Sequence, residues 1–238
     1  PDILSESGAD GDDVIGIGGF SIAAGLAIHA AMLPPLQNRV DFILAVGGYY
    51  DLPQTLHYMT TGYYTLDGVE RYLEPSEYGK WVFVLSNLER ITDQRQQELL
   101  RQIAMQSKDS GSLPTELVSQ LRGEALALYR YVQNREITRA AGLMQQLPDP
   151  LRNEIERLDL ANKDLSLLRA QLLLLHGRDD NIIPYVQSIG LQRTLPATQA
   201  RLYLLNHWLH VSPDGAVLDS WQMFRALYRL LTIRDNAS

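Results

Sequence analysis

Three kinds of side chain stand along this chain in an order that allows nucleophilic chemistry: a serine at 21, aspartates at 179 and 180, and histidines at 207 and 210. A serine hydroxyl is a weak nucleophile until a histidine takes its proton, and that histidine needs a carboxylate to fix its tautomer and stabilise the imidazolium. Ser21 lies in GIGGFSIAAG, residues 16–25, where Gly19, Phe20, Ser21, Ile22 and Ala23 fit the GxSxG pattern with alanine in place of the last glycine. In such a strand-to-helix turn the neighbours must be small because two backbones approach closely, and the serine is left exposed. The amide of Ile22 would face the place where an oxyanion forms. The plain alternative is a serine that caps the following helix.

The second piece is HGRDDNIIP, residues 176–184, which follows an apolar run and offers Asp179 and Asp180 as the orienting carboxylate. One of the two is expected to be an ordinary turn-forming aspartate. The third piece is NHWLHV, residues 206–211, with His207 and His210 as candidate bases. Two histidines three residues apart with no third ligand make a poor metal site. A GxGxxG reading that starts at Gly16 fails twice: Ser21 occupies its third glycine position, and Asp41 opens the next strand instead of ending it.

These residues need a scaffold that brings strand ends together. Val14 to Gly18 reads as a strand, Gly19 to Met32 as a helix, and Val40 to Val46 as a second strand, which makes a βαβ unit. Gln171 to Leu175 and Arg201 to Leu205 read as two further strands, each ending in a polar loop. Open parallel sheets bind their ligands beyond the carboxyl ends of the strands, where these loops gather. Between the second and third strands, Leu85 to Met105, Leu117 to Gln133 and Ile137 to Leu147 carry apolar residues at helical spacing. Trp221 to Leu231 reads as an amphipathic helix covering one sheet face. The expectation is an α/β fold with core segments at 1–50 and 169–238 and a helical insertion at 51–168.

On GFSIAAGLA at 19–27, AVGGYYDLPQTLHYMTTG at 45–62, LLLLHGRDDNIIP at 172–184 and NHWLHV at 206–211, the sequence resembles the α/β-hydrolase superfamily, and within it bacterial dienelactone-hydrolase-like and prolyl-oligopeptidase-like esterases. The chain order serine, aspartate, histidine is the one that superfamily uses. The resemblance implies Ser21 as nucleophile, Asp180 as the acid, because it stands two residues before the paired isoleucines and proline, and His210 as the base, because a small apolar residue follows it. It further implies Ile22 in the oxyanion hole, a helical lid, and Phe20, Tyr49 and Tyr50 at the substrate, with Tyr58, Tyr63 and Tyr64 as further lining; lid packing is the alternative for all five tyrosines. The expected substrate is a small ester, or an amide or lactone, attacked without metal or cofactor. A non-catalytic scaffold of the same fold is the competing reading.

The superfamily places its elbow after the fifth strand of eight, and residues 1–13 cannot hold four strands. The chain is therefore expected to be a C-terminal portion that lacks the second oxyanion donor, poorly soluble and nearly inactive without an upstream segment or a complementing chain. The elbow strand is expected to be buried on both faces. Composition sets outer bounds. A net charge of -7 and a pI near 5.2 argue against a nucleic-acid binder, which needs a clustered basic surface. With no cysteine there is no thiolate chemistry and no disulfide, and the compartment is left open. The longest apolar stretch, Val14 to Leu33, is broken by glycines, Ser21 and His29, so no membrane span is expected.

Overall fold

The computed structural model describes residues 14–206 and, near the C-terminus, residues 225, 226, 228, 229, 231 and 232. The described residues form two compact units, one of 14–50, 163–180, 187–206 and the C-terminal helical residues, the other of 51–162 and 181–186.

The first unit is a four-stranded sheet in which every neighbouring pair is parallel. Strand β1 is Gly16–Phe20, β2 is Phe42–Val46, β5 is Gln171–Gly177 and β6 is Ala200–Leu205, in the spatial order β1-β2-β5-β6. Helix α1, Ile22–Ala31, connects β1 to β2, and α9, Val186–Thr194, connects β5 to β6. Strand β5 is buried along nearly its whole length, as an apolar run covered on both faces must be. The register aligns Val46 with Leu175 and Leu175 with Tyr203, so these three share a row on one face. Ala226, on the C-terminal helical stretch, is buried with Val46 and Leu175, and Leu44 and Tyr203 pack beside them. At Ala226 the C-terminal helical stretch thus packs on a sheet face, where its sequence places it; Trp221 lies outside the described residues.

Two expectations for the first strand need correction. It runs to Phe20, two residues beyond Gly18, because its register with β2 continues from Gly16 opposite Phe42 to Phe20 opposite Val46. It is also not buried on both faces. Among the described residues it is an edge strand with β2 as its neighbour, and Gly16, Gly18 and Phe20 are exposed while Gly19 is buried.

The second unit holds α2 (Leu52–Thr61), a hairpin of β3 (Tyr63–Leu66) and β4 (Val69–Tyr72), and helices α3 (Glu77–Ser86), α4 (Gln94–Ser110), α5 (Thr115–Val118), α6 (Gly123–Val132), α7 (Ile137–Gln145) and α8 (Asp149–Leu158). Its caps follow from sequence: the Asp51 side chain accepts from the Gln54 amide at the start of α2, and Gly62 closes the same helix in a left-handed conformation. The single helix expected over 85–105 is in fact α3, a short 3-10 turn at Leu88–Arg90, and α4. Asp93 accepts from the amides of Arg95 and Gln96 and starts the new helix, while Leu88 and Ile91 stay buried and carry the apolar spacing across the break. The stretch 117–133 divides likewise, with Leu121 buried between α5 and α6 and Gly123 at φ 52°. The aromatic residues cluster within this unit: the Tyr58 ring meets Tyr64 edge-on, Tyr64 meets Tyr185, and Tyr63 tilts against Tyr72.

Candidate active site

Ser21 stands between β1 and α1 with φ 56° and ψ -131°. That combination is outside the ordinary left-handed region and belongs to backbone space that side chains rarely enter, at a typical cost of about 1–3 kcal/mol. Neighbouring structure holds it there. The Ser21 amide donates to the Val46 carbonyl at 2.8 Å, and the Ala24 amide donates to the Ser21 carbonyl at 3.0 Å. A Cβ on Gly19 would lie 2.5 Å from the Ala23 carbonyl oxygen and 2.6 Å from Ala24 Cα, so strand and helix meet backbone to backbone at that point. The Ser21 side chain makes no capping hydrogen bond to α1, which sets aside the helix-cap reading. Ile22 is the first residue of α1 and 45 % exposed. Its amide is among the first N–H groups of a helix, which have no partner within the helix.

The second carboxyl edge lies beyond β5. Asp180 is 2 % exposed, whereas Asp179 is exposed. The Asp180 amide donates to the Gly177 carbonyl at 3.3 Å, folding the loop back on the strand it leaves. A small cavity at the ends of the strands is lined by Val46, Gly47, Leu175, His176, Gly177, Asp180 and Leu205. Because the Ser21 amide bonds to Val46 and the Gly47 amide bonds to Leu175, Ser21 and Asp180 leave the sheet at the same edge. His207 and His210 lie outside the described residues.

Two groups near Asp180 escape a reading by motif. His176, 1 % exposed, has Nε2 3.4 Å from Asp180 Oδ2 and Nδ1 2.7 Å from the hydroxyl of Ser188, which is 2 % exposed. His176 opens the segment read as a polar loop after Leu175, whereas β5 continues through it to Gly177, and Ser188 sits in α9 with no local signal at all.

Of the residues expected at the substrate, Phe20 ends β1 and is 67 % exposed. Tyr49 is 1 % exposed, and a Cβ on Gly25 would lie 2.3 Å from its ring, so Tyr49 packs tightly on α1. The Tyr50 amide donates to Gln187 Oε1 at 3.0 Å, and its hydroxyl accepts from Thr194 at 3.1 Å, which ties β2's loop to α9. Among the described residues no group of three or more His, Cys, Asp or Glu side chains is arranged to hold a metal ion, and no helix is long and apolar enough to cross a membrane.

No family model matches the sequence. The chain is similar to the 2-hydroxy-6-oxo-2,4-heptadienoate hydrolase of Pseudomonas putida, 26% identical over 95 residues, 40% of this chain and 34% of the relative. The solved structures to which it is similar are α/β hydrolases. One is the meta-cleavage product hydrolase of Pseudomonas fluorescens, with 16% identity, 92% of this chain and 66% of that chain covered, and a TM-score of 0.40. Another is the mouse alpha/beta hydrolase domain-containing protein 10, with 14% identity, 98% and 66% covered, and a TM-score of 0.46. An α/β fold family hydrolase of Bacillus anthracis gives 15% identity, 89% and 66% covered, and a TM-score of 0.43. The chain thus spans about a third of the curated relative and just under two thirds of the solved chains. No dienelactone hydrolase stands among these.

Proposed function

We propose that this chain carries the serine, acid and base of a hydrolase that cleaves an ester, with Ser21 as nucleophile, Asp180 as orienting carboxylate and His210 as general base. The observation that carries the reading is the backbone of Ser21, a serine held at φ 56° and ψ -131° between a strand and a helix by bonds to the neighbouring strand. A serine with no reactive role has no reason to occupy that conformation, since glycine fits it without strain. The curated relative, a hydrolase by name, supports the same class.

In the proposed reaction the Ser21 hydroxyl attacks the acyl carbon and its proton passes to His210, whose tautomer Asp180 fixes. The oxyanion receives the amide of Ile22. When the carbon–oxygen bond to the alcohol breaks, His210 returns the proton to the leaving oxygen, and a water repeats the sequence to release the acid and free Ser21. Phe20, exposed next to the nucleophile, is the apolar contact proposed for the acyl group. The test is the pH dependence of kcat/KM for chromogenic esters with the full protein. A histidine base gives a rate that rises through an ionisation near neutrality, where a free histidine titrates at about 6.5. A profile flat between about pH 5 and 8 contradicts a histidine base.

A further inference from the structure

The geometry points to His176 as the positioning residue for Asp180, with Ser188 as the outer contact that orients the His176 ring; the inference rests on the catalytic reading above. Ser188, His176 and Asp180 form a buried array within one unit: Ser188 Oγ lies 2.7 Å from Nδ1, and Asp180 Oδ2 lies 3.4 Å from Nε2. All three side chains are buried, so the polar atoms must satisfy one another. An ionised carboxylate only accepts, which assigns the proton of a neutral His176 ring to Nε2 and leaves Nδ1 as acceptor for the Ser188 hydroxyl. The polarity therefore runs from hydroxyl to imidazole to carboxylate.

This array also contains a serine, a histidine and an aspartate, yet it is not a second nucleophilic centre. Ser188 is closed off from solvent, sits on helix α9, and gives its hydrogen bond at Nδ1, so nothing brings an acyl carbon to it. Its chemistry is support. His176 is anchored in strand β5, whereas Asp180 lies in the loop that follows, and a carboxylate in a loop needs a rigid partner to hold its plane. A buried carboxylate stays ionised only when donors replace the water it has lost, and the Nε2–H of His176 is such a donor.

The test uses the full protein, p-nitrophenyl acetate and three variants. His176→Phe keeps ring volume and removes the donor, His176→Gln returns an N–H close to the Nε2 position, and Ser188→Ala removes the outer contact. We expect kcat to fall on the order of 10- to 100-fold in His176→Phe with KM unchanged, the size of loss that follows removal of outer partners of liganding histidines. His176→Gln recovers most of that loss, and Ser188→Ala gives a smaller fall. A merely structural role would lower kcat in proportion to lost folded protein in every variant, with no rescue by glutamine, and would overturn the proposal. A second readout needs no turnover. In imidazole nitrogen NMR the wild-type His176 ring shows Nε2 as the protonated nitrogen, and its resonance moves in Asp180→Asn but not in Asp179→Asn. A resonance that ignores Asp180→Asn, or full kcat in His176→Phe, refutes the positioning role. If the resonance responds but Ser21→Ala leaves wild-type hydrolysis intact, the catalytic reading is the one that fails, and the positioning role falls with it while the buried pair stands.

Discussion

Ser21 and Asp67 share a backbone sign that few side chains accept, and they use it in opposite ways. Among the described residues they are the two non-glycine positions with positive φ, at 56° and 52°. Asp67 is followed by Gly68 at φ 77°, and together they form the two-residue loop between Leu66 and Val69 of the β3–β4 hairpin. Two positive φ values match the right-handed twist of the flanking strands, and aspartate tolerates the left-handed region. The demand is local and the next residue meets it. Ser21 stands in no hairpin: its φ and ψ are close to those of the first central residue of a type II′ turn, a place glycine usually takes, but the chain runs on into α1, and what holds it is the Val46 carbonyl and the close backbone passage at Gly19. A strained residue that local turn chemistry explains says little about function. One that the surrounding fold must impose supports the nucleophile proposed at that position.

The largest effect that can break this comparison is on rate. Ser21→Ala should abolish ester hydrolysis, a loss that reaches about 10⁶ when the nucleophile of a serine protease is removed. Asp67→Ala, at the other strained turn, should leave kcat within about twofold and cost only stability, about 1 kcal/mol. Equal losses of activity in the two variants would mean that Ser21 matters only for folding. Next in size, Asp180→Asn should lower kcat by roughly 10⁴, as loss of the orienting carboxylate does, while the exposed Asp179→Asn stays near wild type. Reversal of that pair would move the acid by one residue.

Smaller effects appear in stability. Gly19→Ala drives a methyl group against the Ala23 and Ala24 backbone and should destabilise by about 1–3 kcal/mol in urea denaturation. In the opposite direction, Ser21→Gly should raise the unfolding free energy by about 1 kcal/mol, since relief of strain exceeds the extra chain entropy that glycine loses on folding. Asp67→Gly should change it by less than about 0.5 kcal/mol.

The contrast also shows what a sequence makes legible. Strands β2 and β5 declare themselves because a covered parallel strand is a run of apolar residues, and β6, at the edge of the described sheet with Arg201 exposed, shows a shorter apolar run before its polar loop. The elbow is readable because close backbone approach admits only small residues, here Gly19, Ala23 and Ala24. The hairpin escaped, although Asp67–Gly68 between two aromatic runs is a strong turn signal. Strand β4 is exposed throughout and so lacks the alternation by which half-buried strands are recognised. The breaks after Ser86 and Val118 escaped because Leu88, Ile91 and Leu121 remain buried and keep the helical spacing going through them. At the site, Asp180 was legible from its motif, but its partner was not. His176 reads as the start of a polar loop, and Ser188 comes from a helix and stands twelve residues further on, a pairing that only the fold of β5 against α9 creates.

The central claim is that Ser21 is an activated nucleophile, and the most direct measurement is to treat the full protein with a fluorophosphonate probe, digest it, and locate the adduct by mass spectrometry. A single phosphonylated residue, Ser21, is expected, with no adduct in Ser21→Ala. An adduct on Ser188 or any other serine, or none on a folded wild-type protein, would contradict it.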